Sequence, residues 1–380
     1  MKVGIAVHGR FHAFELAAYL YRQDLLARLD TTYPAAIARR FLPDGVPLRT
    51  QAWLEVLRRA WPRLPLPGRP DLFIATRFAR ALAKHLPEAD ILVGWSGAAL
   101  EAIRPAQARG MKVVLERGST HIAHQTRILA EAHARWGVEW NGTDPRLIQR
   151  ELAEYAAADL IVTGCASARQ SFLDHGIDAA KLAVNPYGVD LSRFHPASEP
   201  RHEGKPRILF VGSVGVRKGV PWLIQAMASL PPSWELHLVG PMEPGFQAVL
   251  AGLPMDRVVL RGPLHGAALA DEYRAAQIFC LPSVEEGFGM VILQAMASGL
   301  PVVASAATGA PDAGICGRDL MVVPPADSAA LAEALADLAA DPDRRRAMGV
   351  SARSQVAAGF NWSEYGQRAV CLYRRQLTVD

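Results

Sequence analysis

Cysteine is scarce in this 380-residue chain: only four occur, Cys165, Cys280, Cys316 and Cys371. They are scattered and lack metal-ligand spacing, so they read as reduced structural thiols of a cytosolic protein. Long apolar runs are missing too. None approaches the roughly 18 uninterrupted residues of a membrane-spanning helix. The opening MKVGIAVHGR breaks its short apolar run early and offers no small-residue cleavage site, which argues against a signal peptide. There is no internal repeat of fixed period and no low-complexity tract. What remains is a globular balance, with 50% hydrophobic and 21% charged residues, long enough for two domains with a core each.

The small positive charge is unevenly spread. Residues 35–70 hold seven arginines (Arg39, Arg40, Arg49, Arg58, Arg59, Arg63, Arg69) against two acids, Asp44 and Glu55. That excess is larger than the net +4 of the whole chain. Phe41, Trp53, Leu54, Leu57 and Trp61 are interleaved with the arginines. Apolar and aromatic residues beside cations suit an anionic membrane surface, although a plain solvated basic face has the same composition. No recognition motif accompanies the charge, so nucleic acid is not an expected partner.

Short β-branched runs alternate with helical patterns, which predicts parallel sheets flanked by helices. Strands are expected at Val3–Val7, Ile91–Gly94, Val113–Glu116 and Leu160–Thr163, then at Ile208–Val211, Glu235–Val239, Val258–Leu260, Ile278–Leu281, Val302–Ala304 and Met321–Val323. Helices are expected at Phe14–Leu29, Arg146–Ala158, Pro221–Ser229, Ala267–Ala276, Val291–Ser298 and Ala329–Ala340. A segment rich in Pro, Gly and charge, FHPASEPRHEGKPR (194–207), separates the two sets of strands as a linker would. Two α/β halves so joined place a ligand cleft at the carboxyl ends of their strands.

Four segments carry chemistry. In ILFVGSVGVRKGV (208–220), Gly212 and Gly215 let backbone N–H groups approach a ligand, and Arg217 and Lys218 add a fork and a point charge suited to a diphosphate. In PSVEEGFGMVILQAMASGLPVV (282–303), Gly287 and Gly289 precede a helix mouth that favours anions. Glu286 would repel phosphate there unless it reached past it to sugar hydroxyls, which a carboxylate accepts well. Gln294 follows two turns along the same helix. In VVLERGSTHIAHQTR (113–127), His121 and His124 follow a strand among Glu116, Arg117, Ser119 and Thr120. They have no third ligand for a metal, and DPD at 341–343 reads as a helix connector, so no metal site is expected. In HGRFHAFE (8–15), Gly9 allows a tight turn from which Arg10 and His12 reach the cleft.

PSVEEGFGMVILQAMASGLPVVAS, supported by FVGSVGVRKG, VNPYGVDLSRFHP (184–196) and ELAEYAAADLIVTGCAS (151–167), resembles the retaining GT-B glycosyltransferases of family 4, the glycosyl transferases group 1. The resemblance covers nearly the whole chain. It implies an α/β fold of two Rossmann-like domains facing each other across a cleft. Residues 1–193 would bind the acceptor and 194–362 the nucleotide-sugar donor, with a C-terminal helix at about 363–380 returning to the first domain. It further implies transfer of a hexose from a UDP- or GDP-sugar to a hydroxyl of a lipid, glycan or small molecule. No cofactor and no metal are implied, and the location is cytoplasmic, with the inner membrane face as a peripheral site.

Carried over residue by residue, Glu286 matches the acid on the donor-sugar hydroxyls, and Lys218 with Arg217 matches the cations of the diphosphate. Phe288, Gly289 and Met290 match the turn whose amides lie by sugar and phosphate, and Gly287 and Val291 beside them are expected donor contacts. His121 or His124 matches the histidine at the reacting centre. Gly9, Gly212, Ser213, Gly262 and Pro263 complete the expected donor contacts. Three positions depart from the pattern. Gln294 stands where the family has a second acid for the ribose, Ser213 where an arginine is frequent, and Asp312 where a glutamate is usual. Two further readings follow from these departures and from the fold: a nucleotide-sugar-binding protein that has lost catalysis, and a GT-B epimerase. A dinucleotide oxidoreductase is disfavoured, because no G-x-G-x-x-G follows a strand.

Overall fold

The structure, a computed structural model, describes residues 1–63, 68–197 and 204–378. It contains two parallel sheets. The first orders its seven strands β3-β2-β1-β4-β5-β6-β7, with β1 Val3–Val7, β2 Leu26–Thr31, β3 Leu48–Thr50, β4 Ile91–Trp95, β5 Lys112–Arg117, β6 Leu160–Thr163 and β7 Leu182–Val184. The second orders six strands β10-β9-β8-β11-β12-β13, with β8 Arg207–Val211, β9 Glu235–Val239, β10 Val258–Gly262, β11 Ile278–Leu281, β12 Val302–Ser305 and β13 Met321–Val323. Helices cover both faces of each sheet. Central strands such as β1, β4 and β11 are therefore buried at every residue and read as unbroken apolar runs.

All ten expected strands are present; β2, β3 and β7 were not anticipated. The helix expected over Phe14–Leu29 ends at Arg22, where Gln23 caps it and Asp24 turns the chain at φ 53°. The segment that follows becomes β2. Leu25, Leu26 and Leu29 continue the helical spacing of the apolar residues before them, and this hid the strand. The strands β3 and β7 are three residues each, too short to show a period. Part of the expected linker, 198–203, lies outside the described residues.

The final helix, Trp362–Thr378, lies against the first one, Ala13–Arg22, with Gly366 set against the ring of Tyr19. Arg368 donates to the Asn185 side chain (3.0 Å) and to the Pro186 carbonyl (2.8 Å), which fastens this helix beneath β7. The backbone of Val189 bridges to Asn361, and Gly188 packs against the Asn361–Trp362 peptide with no room for a Cβ.

Candidate active site

The carboxyl ends of β1, β4 and β5 face those of β8 and β11. In the second domain, β11 runs into Pro282 and a turn that opens the helix Met290–Ala297. Gly289 caps that helix at φ 84°, where a Cβ would lie 2.8 Å from the Leu281 side chain, so the turn requires glycine. This turn rests on the first domain. Gly287 abuts the Gly118 carbonyl, and the Cys165 thiol donates to the Gly287 carbonyl at 2.9 Å.

A cavity of about 530 Å³ lies between the two domains. Gly212, Lys218, Glu286, Phe288, Gly289, Met290, Val291 and Gln294 line one wall, so eight of the expected donor residues do converge. Lys218 Nζ is paired with Glu286 Oε2, both nearly buried. Gln294 Oε1 accepts from the buried Tyr273 hydroxyl at 3.0 Å. The facing wall carries His8, Phe11, His12, Trp95, Glu116 and Arg117. Arg117 is held by Glu151 at 2.6 Å.

Other expected site residues lie elsewhere. His121 and His124 do not border the cavity. His121 is buried as the N-cap of the helix Ile122–Arg135, accepting from the Ala123 N–H and stacking on His175 with ring centroids 4.2 Å apart. Burial, with His175 and Arg117 nearby, lowers its pKa to about 4 and keeps the imidazole neutral. Burial also lowers the pKa of His124. Gly9, Ser213, Gly262, Pro263 and Gly287 are likewise absent from the lining. Arg217, expected on the diphosphate, is taken up by Glu285 at 3.1 Å.

Glu285, which no motif in the sequence singles out, is also part of this arrangement. It is 1% exposed and lies at the seam between the domains. Its carboxylate accepts from Ser119 Oγ (2.5 Å), Thr120 N (3.0 Å), Thr120 Oγ1 (2.8 Å) and Gln125 Nε2 (3.2 Å) of the first domain. Burial alone would raise its pKa, but the Arg217 charge and these donors prevail and hold it at about 2. The only sign of this in the sequence is the doubled acid, Glu285-Glu286. On the N-terminal wall, His12 lies 3.6 Å from Glu116 and packs at a tilt against Tyr187, with ring centroids 4.2 Å apart, and the Tyr187 ring leads on to Phe288.

Residues 205–341 match the family model "Glycosyl transferases group 1". A D-inositol 3-phosphate glycosyltransferase of Kineococcus radiotolerans is 32% identical over 295 residues, covering 68% of this chain and 67% of the relative. An MMP alpha-(1->4)-mannosyltransferase of Mycolicibacterium hassiacum is 32% identical over 228 residues, covering 58% of this chain. There the match spans only about half of the relative, 54% of its length. Among solved structures, a sucrose-phosphate synthase from Thermosynechococcus elongatus superposes with a TM-score of 0.76 at 22% identity, covering 100% of both chains. Anabaena HepE, solved with UDP-glucose, gives a TM-score of 0.71 at 17% identity over 99% of this chain and 100% of that one. These two likenesses concern the fold, two parallel-sheet domains in the GT-B arrangement. The relative that is 32% identical over two thirds of both chains, together with the family model over residues 205–341, leads to the assignment: the chain belongs to the glycosyl transferases group 1.

Proposed function

We propose that this glycosyltransferase moves a sugar, most plainly a hexose, from a UDP- or GDP-sugar to an acceptor hydroxyl with retention at the anomeric carbon. The observation that carries this is the convergence of Lys218, Glu286, Gly289 and Gln294 on one wall of a cavity that the other domain closes. In this reading Lys218 and the amides at the mouth of the helix Met290–Ala297 stabilise the leaving diphosphate, where charge develops in the transition state. Glu286 accepts from the sugar hydroxyls. Gln294 faces the ribose with an amide. HepE, solved with UDP-glucose, supports the donor class through its shared fold. The test is a panel of UDP- and GDP-sugars screened for thermal stabilisation and slow hydrolysis. A panel that neither stabilises the protein nor is turned over would overturn the reading.

Gln294→Glu is expected to bind UDP at least as tightly as the wild type, as isothermal titration would measure. A carboxylate accepts from ribose hydroxyls more strongly than a neutral amide, and it can still accept from Tyr273. A steep loss of affinity would assign the amide to some other contact.

We further infer that the protein acts at the inner face of the cytoplasmic membrane on a lipid or glycan acceptor. Phe41, Trp53 and Val56 of the basic segment are exposed, as are Phe11 and Phe73 beside it. Not all of its arginines are free for lipid. Arg58 and Arg59 share the buried Glu55, and Arg49 lies 3.8 Å from Asp30. Residues 64–67 of the segment lie outside the described residues. Among the described residues no helix is long and apolar enough to cross a membrane. The expected result is co-sedimentation with phosphatidylglycerol vesicles that fades as salt rises from about 0.05 to 0.5 M, as the Debye length shrinks. Equal retention on neutral phosphatidylcholine vesicles would remove the electrostatic part of this proposal.

A further inference from the structure

The turn between β1 and the first helix holds Phe11 in a conformation from which the fold gains nothing. Its φ is 43°, in the left-handed region, where a bulky side chain crowds its own backbone. The residue is 56% exposed, so burial of the ring does not offset that cost. Among the described residues, only Asp24 and Ala326 share such a φ without being glycine, and neither borders the cavity between the domains. Phe11 does.

The conformation is held from both sides. Thr31 Oγ1 donates to the Gly9 carbonyl at 2.6 Å, and Arg58 Nη2 donates to the His8 carbonyl at 3.0 Å. The ring folds back over Gly9, 3.1 Å from where a Cβ there would stand. It tilts against His8 with ring centroids 6.0 Å apart. Strain that the surroundings impose in this way gathers at functional positions.

What lies on either side of Phe11 differs in kind. Inside the cavity, His8 Nδ1, His12 Nε2, Trp95 Nε1 and Glu116 Oε1 are buried without a hydrogen-bond partner among the described residues. Unmet polar atoms on a cavity wall suit a ligand that brings its own hydroxyls. Outside it, Arg58 belongs to the helix Ala52–Ala60, which carries the exposed Trp53 and Val56. The Arg10 guanidinium lies 3.8 Å from the centroid of the exposed Phe41 ring. The turn therefore joins a polar cavity to an apolar and basic segment.

We propose that Phe11 sets acceptor specificity, its ring being the contact for an apolar chain attached to the hydroxyl-bearing head of the acceptor. The acceptor is thus amphipathic, with its head in the cavity and its chain leaving past Phe11. This rests on the transferase reading above and narrows its acceptor to one class. A ring fixed before the ligand arrives offers a chain a large apolar contact at little entropic cost.

Glycosides that share a head and differ in their chain test this: methyl and octyl glucoside, methyl and octyl galactoside, and methyl and octyl mannoside. Affinities are measured by isothermal titration with UDP present and the octyl glycosides kept below micelle formation. At least one octyl glycoside is expected to bind the wild type about tenfold more tightly than its methyl partner, the effect of burying roughly two methylenes. Phe11→Asn removes the ring and keeps a residue that tolerates the left-handed backbone. It is expected to bind both members of the pair alike, with UDP affinity unchanged and thermal stability no lower than that of the wild type. Phe11→Trp keeps the preference. In transfer assays the loss in Phe11→Asn appears in the KM of the octyl glycoside rather than in kcat.

The proposal is overturned if no octyl glycoside outbinds its methyl partner in the wild type, or if Phe11→Asn retains the preference. It is also overturned if Phe11→Asn loses UDP affinity, which would assign the ring to the donor, or melts more than about 5 °C lower, which would make the ring structural. Glycosides that bind as expected yet receive no sugar from UDP-glucose, UDP-galactose or GDP-mannose would count against the transferase reading and leave the Phe11 contact standing.

Discussion

Lys218→Ala is expected to lower sugar transfer by about 100-fold or more, the scale on which removal of one preorganised charge-stabilising group acts. Lys218 is the cation that borders the cavity on its donor wall, since Arg217 is bound to Glu285. In the proposed reaction, the charge developing on the leaving diphosphate would then keep only helix amides on that wall. The ground-state complex is less affected, so kcat falls more than UDP affinity does. The variant also leaves Glu286, 8% exposed, without its partner. A double variant, Lys218→Ala with Glu286→Gln, separates the two effects: it recovers thermal stability and does not recover transfer. A folded Lys218→Ala protein with near-normal turnover would remove Lys218 from the role assigned to it.

Glu285→Ala is expected to cost about 3–5 kcal/mol of stability, the range for breaking a buried ion pair by deleting one partner. The deletion strands Arg217 and leaves Ser119, Thr120 and Gln125 without their shared acceptor. Because those donors belong to the other domain, the variant also loosens the seam. Small-angle scattering should then show a larger radius of gyration than for the wild type. The pH dependence has a definite sign. The folded pKa of about 2 is below the ordinary carboxylate value, so the stabilisation is complete above about pH 4.5 and is lost as pH falls towards 2. Glu285→Gln, which cannot ionise, should lack that acid-dependent component of the unfolding free energy. A loss under about 1 kcal/mol in Glu285→Ala, with unchanged scattering, would deny Glu285 its part in holding the domains together.

The parallel core was legible because buried parallel strands are apolar throughout: VGIAV, ILVGW and IFCL announce themselves whatever surrounds them. The glycine turn was legible for a related reason, since Glu-Gly-Phe-Gly has no use in a packed core. What sequence could not give was the partner of each charge. Arg217 and Lys218 look alike in VRKG, yet one faces Glu285 and the other the cavity, a choice made by a turn 68 residues away. His121 and His12 present the same problem. Both follow a strand of the first sheet, and only packing against Phe172, Tyr155 and His175 removes His121 from the cleft.

The final helix has a mechanical consequence. A chain that passed once from the first domain to the second would leave the two free to swivel about all three axes, like a ball in a socket. Here the chain passes out after Val189 and back at Asn361, and the two passages run side by side, bridged by backbone and locked by Gly188. Two adjacent passages define a line, and they leave only rotation about that line cheap. Rotation about that line, like that of a door on its hinge, is the motion these two passages restrain least.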